Sequence, residues 1–351
     1  PADFPDVPPG TPWHPSLAAA LAGPDRPAVV TLSTPLHTHV ALAAEALAAG
    51  CDVMLEKPPA PSLAAYHDLT AKVQAAGRLC QVGFQTFGSD AFERIAALVA
   101  DGAVGALERV GAVGLWVRDE AYWSRAPWSG RRQLDGHPVV DGAVTNPFAH
   151  AVATALRLGG VRGAGDVAEV AVDLWRANPI EADDTSAVRV TTTAGLPIAL
   201  ALSTCAPLRL PARVTLYGTA GRIVYFYETD RIEVYDRDEV RLIQASRGPL
   251  FDDLLDARNR GDGRLRCALA DVGGFMTVLE AVRTAPAVRP IDPAHVTWAG
   301  AGPARHAVVH DVEAWAERVA ASSLTFTEAG APWTRPATFL TTCSSEGTAH
   351  A

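Results

Sequence analysis

Three short apolar runs constrain this chain more than anything else in it: Ala28 to Ser33, Cys51 to Leu55 and Leu79 to Phe84. The first is continuous and rich in β-branched residues, the pattern of a strand buried on both faces, and the other two are read the same way. Between them lie single helical stretches. His39 to Ala49 is Ala/Leu-rich and stops at Gly50, and a longer one is capped by Ser62 and closed by Gly77. Strand–helix–strand–helix–strand with connections this short predicts parallel βαβ units. Ligands of such open sheets bind outside the carboxyl ends of the strands. Attention therefore falls on Ser33-Thr34-Pro35-Leu36-His37-Thr38-His39 after the first run and Glu56-Lys57-Pro58-Pro59 after the second. The prolines stop the strand. A carboxylate and an ammonium at that point suit a ligand site or a plain solvated strand end, and spacing alone leaves both open.

Around this core, Ser16 predicts a cap for a short helix, Leu17 to Ala22, after a proline-rich loop over residues 1–16. Ser89 to Ala100 reads as a further helix. This is about half of a doubly wound domain. The phosphate-cradling G-x-G-x-x-G expected after such a domain's first strand is missing, and the chain opens on Pro1 rather than Met. The expectation is a Rossmann-like domain cut short at its N-terminus, by truncation of the sequence or in the protein itself. Beyond Gly105 the texture changes. Leu107 to Val117 is β-prone, residues 119–142 form an aromatic, polar loop, and a helix is expected from Thr145 to Leu158. Runs near Val167–Leu174, Ser186–Thr193, Pro197–Thr204, Arg213–Tyr217, Arg222–Tyr227 and Arg231–Tyr235 follow without helices between them. That order predicts a predominantly antiparallel sheet in an α+β domain. Leu250–Asn259, Val272–Thr284 and Val308–Ala321 read as late helices. The expected organisation is 1–105, 106–340 and a tail at 341–351, which suits 351 residues at about 150 per domain.

Charge and cysteine usage narrow the function. A net charge of −9, with no basic run longer than Arg131-Arg132, weighs against nucleic acid and anionic membrane surfaces as partners. No apolar run approaches the ~20 residues of a membrane span. Cys51, Cys80, Cys205, Cys267 and Cys343 are scattered without a CxxC pair, which points to a reducing, cytoplasmic compartment and away from zinc. His306 and His310 lie four apart on an expected helix but lack a third ligand, so they read as a surface pair and no metal is expected.

A third polar cluster is Asp141-Gly142-Ala143-Val144-Thr145-Asn146-Pro147-Phe148-Ala149-His150, with Asn146 and His150 four apart on one face of the expected helix. Asp141 lies outside that helix and reads as a cap. Taken together, S-T-P-L-H-T-H, V-M-L-E-K-P, Q-V-G-F-Q at 81–85, this cluster, E-A-D-D-T at 181–185 and M-T-V-L-E-A-V resemble the glucose–fructose oxidoreductase/inositol dehydrogenase (Gfo/Idh/MocA) family across residues 16–285.

The resemblance implies an NAD(P)-dependent oxidoreductase moving a hydride between a nicotinamide, of NAD or NADP, and a sugar- or polyol-like secondary alcohol or ketone. It implies that Lys57 bonds the reacting oxygen, His150 is the general acid/base and Asn146 orients a substrate hydroxyl. Ser33, Thr34, Pro35, His39, Glu56, Lys57, Gln85 and Trp128 would face the cofactor. Trp123, Arg125, Arg131 and Asn146 would face the substrate, although the aromatic loop also suits a packed interdomain or oligomer surface. The resemblance further implies a dimer or tetramer associating through the open face of the second sheet. One departure is Asn146, which stands where the family commonly has Asp. A second reading is a non-catalytic relative that binds a sugar or protein partner and has lost its cofactor; a third is a structural oligomer subunit.

Overall fold

The first two apolar runs and the third become Val29–Leu32, Asp52–Leu55 and Cys80–Val82, a parallel sheet of three strands in that order. The computed structural model describes residues 10–236 and 239–334. Residues 1–9 of the opening loop, and the tail at 341–351 with Cys343, lie outside them. Helices His39–Ala48 and Leu63–Ala76 make the crossovers. The second begins where the Ser62 hydroxyl accepts the N–H of Ala65 at 3.2 Å, and ends where Gly77 turns left-handed at φ 60°.

Past Leu107 the chain builds a nine-stranded sheet. In space its strands run Glu239–Gln244, Arg231–Asp236, Gly221–Phe226, Arg213–Gly218, Leu107–Leu115, Pro197–Ser203, Thr185–Thr192, Val167–Arg176 and Arg289–Pro290. Neighbours pair antiparallel except Leu107–Leu115 with Pro197–Ser203, and Val167–Arg176 with Arg289–Pro290. Helix Ala149–Leu158 returns the chain to the same end of the sheet, and two antiparallel pairings from Val167–Arg176 then bring Pro197–Ser203 parallel beside Leu107–Leu115. The edge strand Glu239–Gln244 has no counterpart in the sequence reading. It is almost wholly exposed, so burial never stamped a pattern on it.

The chain then doubles back. Gln81 donates to the carbonyl of Leu250 at 2.7 Å, and the Tyr66 hydroxyl donates to that of Leu269 at 3.0 Å. Helix Leu250–Arg260 thus lies against the parallel sheet, and Gly273–Thr284 packs on helix Leu63–Ala76, where Glu280 accepts the Leu63 N–H at 3.1 Å. One apolar cluster runs from Leu55 through Phe84, Phe148 and Phe275 to Tyr225, so the two sheets share a core. The opposite face of the large sheet is covered at its centre by helix Val312–Ser322. A Cβ on Gly111 would lie 2.4 Å from the carbonyl oxygen of Ala320.

Two sequence expectations are corrected. The helix expected from Thr145 starts at Ala149, because Pro147 disfavours the helical region for the residue before it. Asn146 therefore sits in the turn leading into the helix and does not share its face with His150. Nor do His306 and His310 share a helix. His306 opens the strand His306–Val309, paired with Val296–Ala299, and the helix begins only at Val312. Among the described residues no group of three His, Cys, Asp or Glu could hold a metal ion, and no helix is long and apolar enough to cross a membrane. Cys51, Cys80, Cys205 and Cys267 are buried and unpaired.

Candidate active site

Lys57 leaves the carboxyl end of Asp52–Leu55 through a cis peptide to Pro58. Its Nζ donates to Asn146 Oδ1 at 2.8 Å and lies 3.5 Å from the Asn146 carbonyl. Residues 89 apart in sequence, one from each sheet domain, are thus joined through a single ammonium. Burial pulls the Lys57 pKa below its ordinary value, against the opposing charges of Glu56 and Asp141. Glu56 turns back and accepts the Lys57 backbone N–H at 3.0 Å.

Asn146 is itself fixed. Its Nδ2 donates to Asp141 Oδ1 at 2.5 Å, which leaves Oδ1 to accept from Lys57. Asp141 is 3% exposed and is no helix cap: it accepts from Arg125 at 3.1 Å and from the Gly130 N–H at 2.8 Å. The carboxylate that Asn146 lacks is therefore supplied five residues upstream. Gly130 reaches it with φ 65° against Ile180, where a side chain would clash at 2.7 Å. Arg125 in turn lies 3.7 Å over the Tyr122 ring and 4.5 Å over that of Trp128. The same loop is pinned from below by Asp183, which accepts the N–H of Val144 at 3.2 Å and the Ser186 hydroxyl at 2.7 Å.

His150, at the start of its helix, stands edge-on to Phe84 at 5.8 Å. Its Nδ1 is buried without a hydrogen-bond partner among the described residues. Burial, then the charges of Lys57 and Arg247, lower its pKa to about 3. The ring is therefore neutral near pH 7, with the Lys57 charge near enough to act on it.

The other candidates divide. Ser33, Thr34 and Pro35 are exposed at the carboxyl end of the first strand, and Gln85 is exposed just beyond the third. These can line a ligand. His39 cannot offer a free nitrogen: it is 2% exposed, with Nδ1 2.9 Å from the Pro58 carbonyl and Nε2 2.8 Å from that of Thr34. It braces the two strand ends against each other. Trp123 and Arg131 line a separate groove of about 310 Å³ with Asn178 and Ile180, and Arg131 pairs with Glu181 at 3.7 Å. The structure does not bring these two to Lys57. Sequence reasoning passed over Asp183 and Arg247, and mistook Asp141; only the D-G-A-V-T-N and E-A-D-D-T runs hinted at the acids.

A nicotinamide dinucleotide fits these residues at one end. The exposed Ser33–Pro35 and Gln85, the poised Lys57 and the partnerless His150 nitrogen converge on one sheet edge. For its pyrophosphate the described residues offer no glycine-rich turn, since Val29–Leu32 runs into Ser33-Thr34-Pro35 instead.

Residues 7–84 match the family model described as the oxidoreductase family, NAD-binding Rossmann fold, and residues 92–224 match the GFO/IDH/MocA C-terminal domain. The chain belongs to the Gfo/Idh/MocA family. No curated protein matches its sequence. Solved structures share the Gfo/Idh/MocA fold. An oxidoreductase domain protein from Kribbella flavida is 23% identical with TM-score 0.62, over 77% of this chain and 80% of that one. The WlbA dehydrogenase from Bordetella pertussis, in complex with NADH and UDP-GlcNAcA, is 22% identical with TM-score 0.61, over 76% and 79%. An inositol dehydrogenase homolog from Azotobacter vinelandii, with NADH and myo-inositol, is 17% identical with TM-score 0.59, over 78% and 80%.

Proposed function

We propose that this Gfo/Idh/MocA chain is an NAD(P)-dependent oxidoreductase acting on a sugar- or polyol-like secondary alcohol or its ketone. The observation that carries the reading is the Lys57 ammonium, half-buried at the carboxyl edge of the parallel sheet and aimed by Asn146. The NADH complexes of the WlbA dehydrogenase and the inositol dehydrogenase homolog support it by likeness of fold. The bound nicotinamide supplies the hydride acceptor. In the oxidising direction Lys57, its amine form favoured by burial, takes the hydroxyl proton. Neutral His150 can accept a hydrogen bond from a neighbouring hydroxyl of the substrate and so orient it. Asn146 fixes the ammonium, Asp141 fixes Asn146, and Arg125 holds Asp141.

The test is titration of the whole chain with NAD and with NADP, read by cofactor fluorescence and melting temperature, then a screen of polyols at the nicotinamide absorbance. Binding of either cofactor followed by turnover is expected. No response to both removes the dehydrogenase reading. That result would leave the second one, a relative that binds a sugar or protein partner without cofactor. We also propose self-association through the open end of the large sheet, where Val240 and Leu242 are 53% and 65% exposed on one face. A monomer in sedimentation equilibrium at micromolar concentration would refute it.

A further inference from the structure

Helix Ala149–Leu158 carries His150 at one end; at its other end Arg157 and Leu158 line a cavity of about 720 Å³. Phe92, Ile95, Val99, Leu107, Leu158 and Leu216 wall it, and Arg157, Arg162, Arg264 and Arg266 stand around it with Glu93 and Asp253. Among the described residues lining it there is no Ser, Thr, Asn, Gln, Tyr or His, so its polar side chains are all charged. Neither Lys57, Asn146 nor His150 lines it.

The cations are incompletely neutralised. Arg157 and Arg162 share one oxygen of Asp271, at 3.5 and 3.1 Å. The Arg157 side chain is only 12% exposed, lies 4.5 Å over the Phe87 ring, and its Nε has no partner among the described residues. Arg266 leans on Glu93 at 3.5 Å and Asp253 at 4.0 Å. Arg264 uses its backbone groups on Asp262 and Arg260, and its guanidinium makes no hydrogen bond or ion pair among the described residues, with the Asp262 charge close enough to act on it. Four guanidinia thus line the cavity with two carboxylates, Glu93 and Asp253, while Asp271 serves Arg157 and Arg162 from outside the lining and Asp262 is held by Arg260.

We propose that this cavity is a second small-molecule site, for an apolar carboxylate of medium length. The apolar walls take the hydrocarbon body, and the free Arg264 fork, with Arg157 behind it, takes the carboxylate in paired hydrogen bonds. The volume falls in the range of ordinary ligand pockets, roughly 300–1,000 Å³. The site does not rest on the hydride-transfer reading, since it shares no lining residue with Lys57 or His150.

Calorimetric titration of the whole chain with sodium octanoate and with 1-octanol tests it. Octanoate should saturate at one per chain, and octanol should bind at least tenfold more weakly. Arg264→Ala, an exposed change, should weaken octanoate at least fivefold with an unaltered melting temperature. Ala96→Trp, which fills the mouth from an exposed position, should abolish binding. Non-saturable octanoate, octanol binding as tightly as octanoate, or a loss caused by Lys57→Ala and not by Arg264→Ala would each overturn the assignment.

Discussion

Polar side chains reach the cleft from two sheets, and they are held in opposite ways. On the parallel-sheet side Ser33, Thr34 and Gln85 are exposed, and the fixing is done on the backbone, by His39 on two carbonyls and Glu56 on one N–H. On the large-sheet side Asp141, Asp183 and Asp184 are 3% exposed or less and accept several hydrogen bonds each. Groups on an open edge can be spared by the fold and kept for a ligand. Buried acids cannot, because each unmet bond there costs the desolvation of the group. Substitutions on the first side should therefore change chemistry and leave stability alone, and those on the second should change both.

The sharpest way to break this contrast is Lys57→Ala. Turnover should fall about a thousandfold, the scale of a lost acid/base group, while the melting temperature stays level or rises. A variant that unfolds would put Lys57 with the structural acids instead. Next in size is Asp141→Ala, which strips partners from Arg125, Asn146 and the Gly130 N–H. Urea unfolding should show a loss of about 3 kcal/mol, together with lower turnover; a loss below about 0.5 kcal/mol would erase the distinction. Gly142→Ala sets a Cβ 1.8 Å from Asp183 Oδ1. Overpacking of that kind should cost about 2 kcal/mol and loosen Asn146, visible as a drop in kcat beyond what the remaining folded fraction explains.

A smaller effect comes from pH. Folded His150 stays neutral down to about 3, whereas the unfolded chain protonates it near 6.5. Between those values the unfolded state binds the extra proton, so this residue makes the wild type lose stability as pH falls. His150→Gln should remove about 1 kcal/mol per pH unit of that slope between pH 6 and 4. Parallel slopes for the two proteins would contradict the buried, neutral ring. The least effect belongs to Arg131→Ala. Its pair with Glu181 is half-exposed on both sides, and stability should move by less than about 0.5 kcal/mol with turnover intact. A turnover loss comparable to that of Arg125→Ala would return Arg131 to the substrate side.

The legible part of the fold was the part whose information is local. The parallel units were written in continuous apolar runs, in Ser62 and in Gly77, and Lys57 followed from where its strand had to stop. What escaped depends on distant pairing. Asp141 meets Arg125 across a 16-residue loop, and nothing in the spacing of either announces the other. The Asn146–His150 spacing suggested one helix face, but Pro147 undid it. The run His306 to Val309 reads as helix in the sequence because the strand Val296–Ala299 that claims it lies outside any short window. The covering of the large sheet by helix Val312–Ser322 escaped for the same reason. That helix confines any open face to the sheet's outer strands.

The hydrogen bond between Lys57 and Asn146 also has a consequence for handedness. An ammonium carries three N–H bonds at fixed tetrahedral angles. Asn146 Oδ1 occupies one at 2.8 Å, and the Asn146 carbonyl stands near a second at 3.5 Å. A reacting oxygen is left the remaining direction, and so arrives from one side. With the nicotinamide lying against one face, an asparagine that never touches the prochiral carbon would then help choose which face that is, through the geometry of a nitrogen with a single bond to spare.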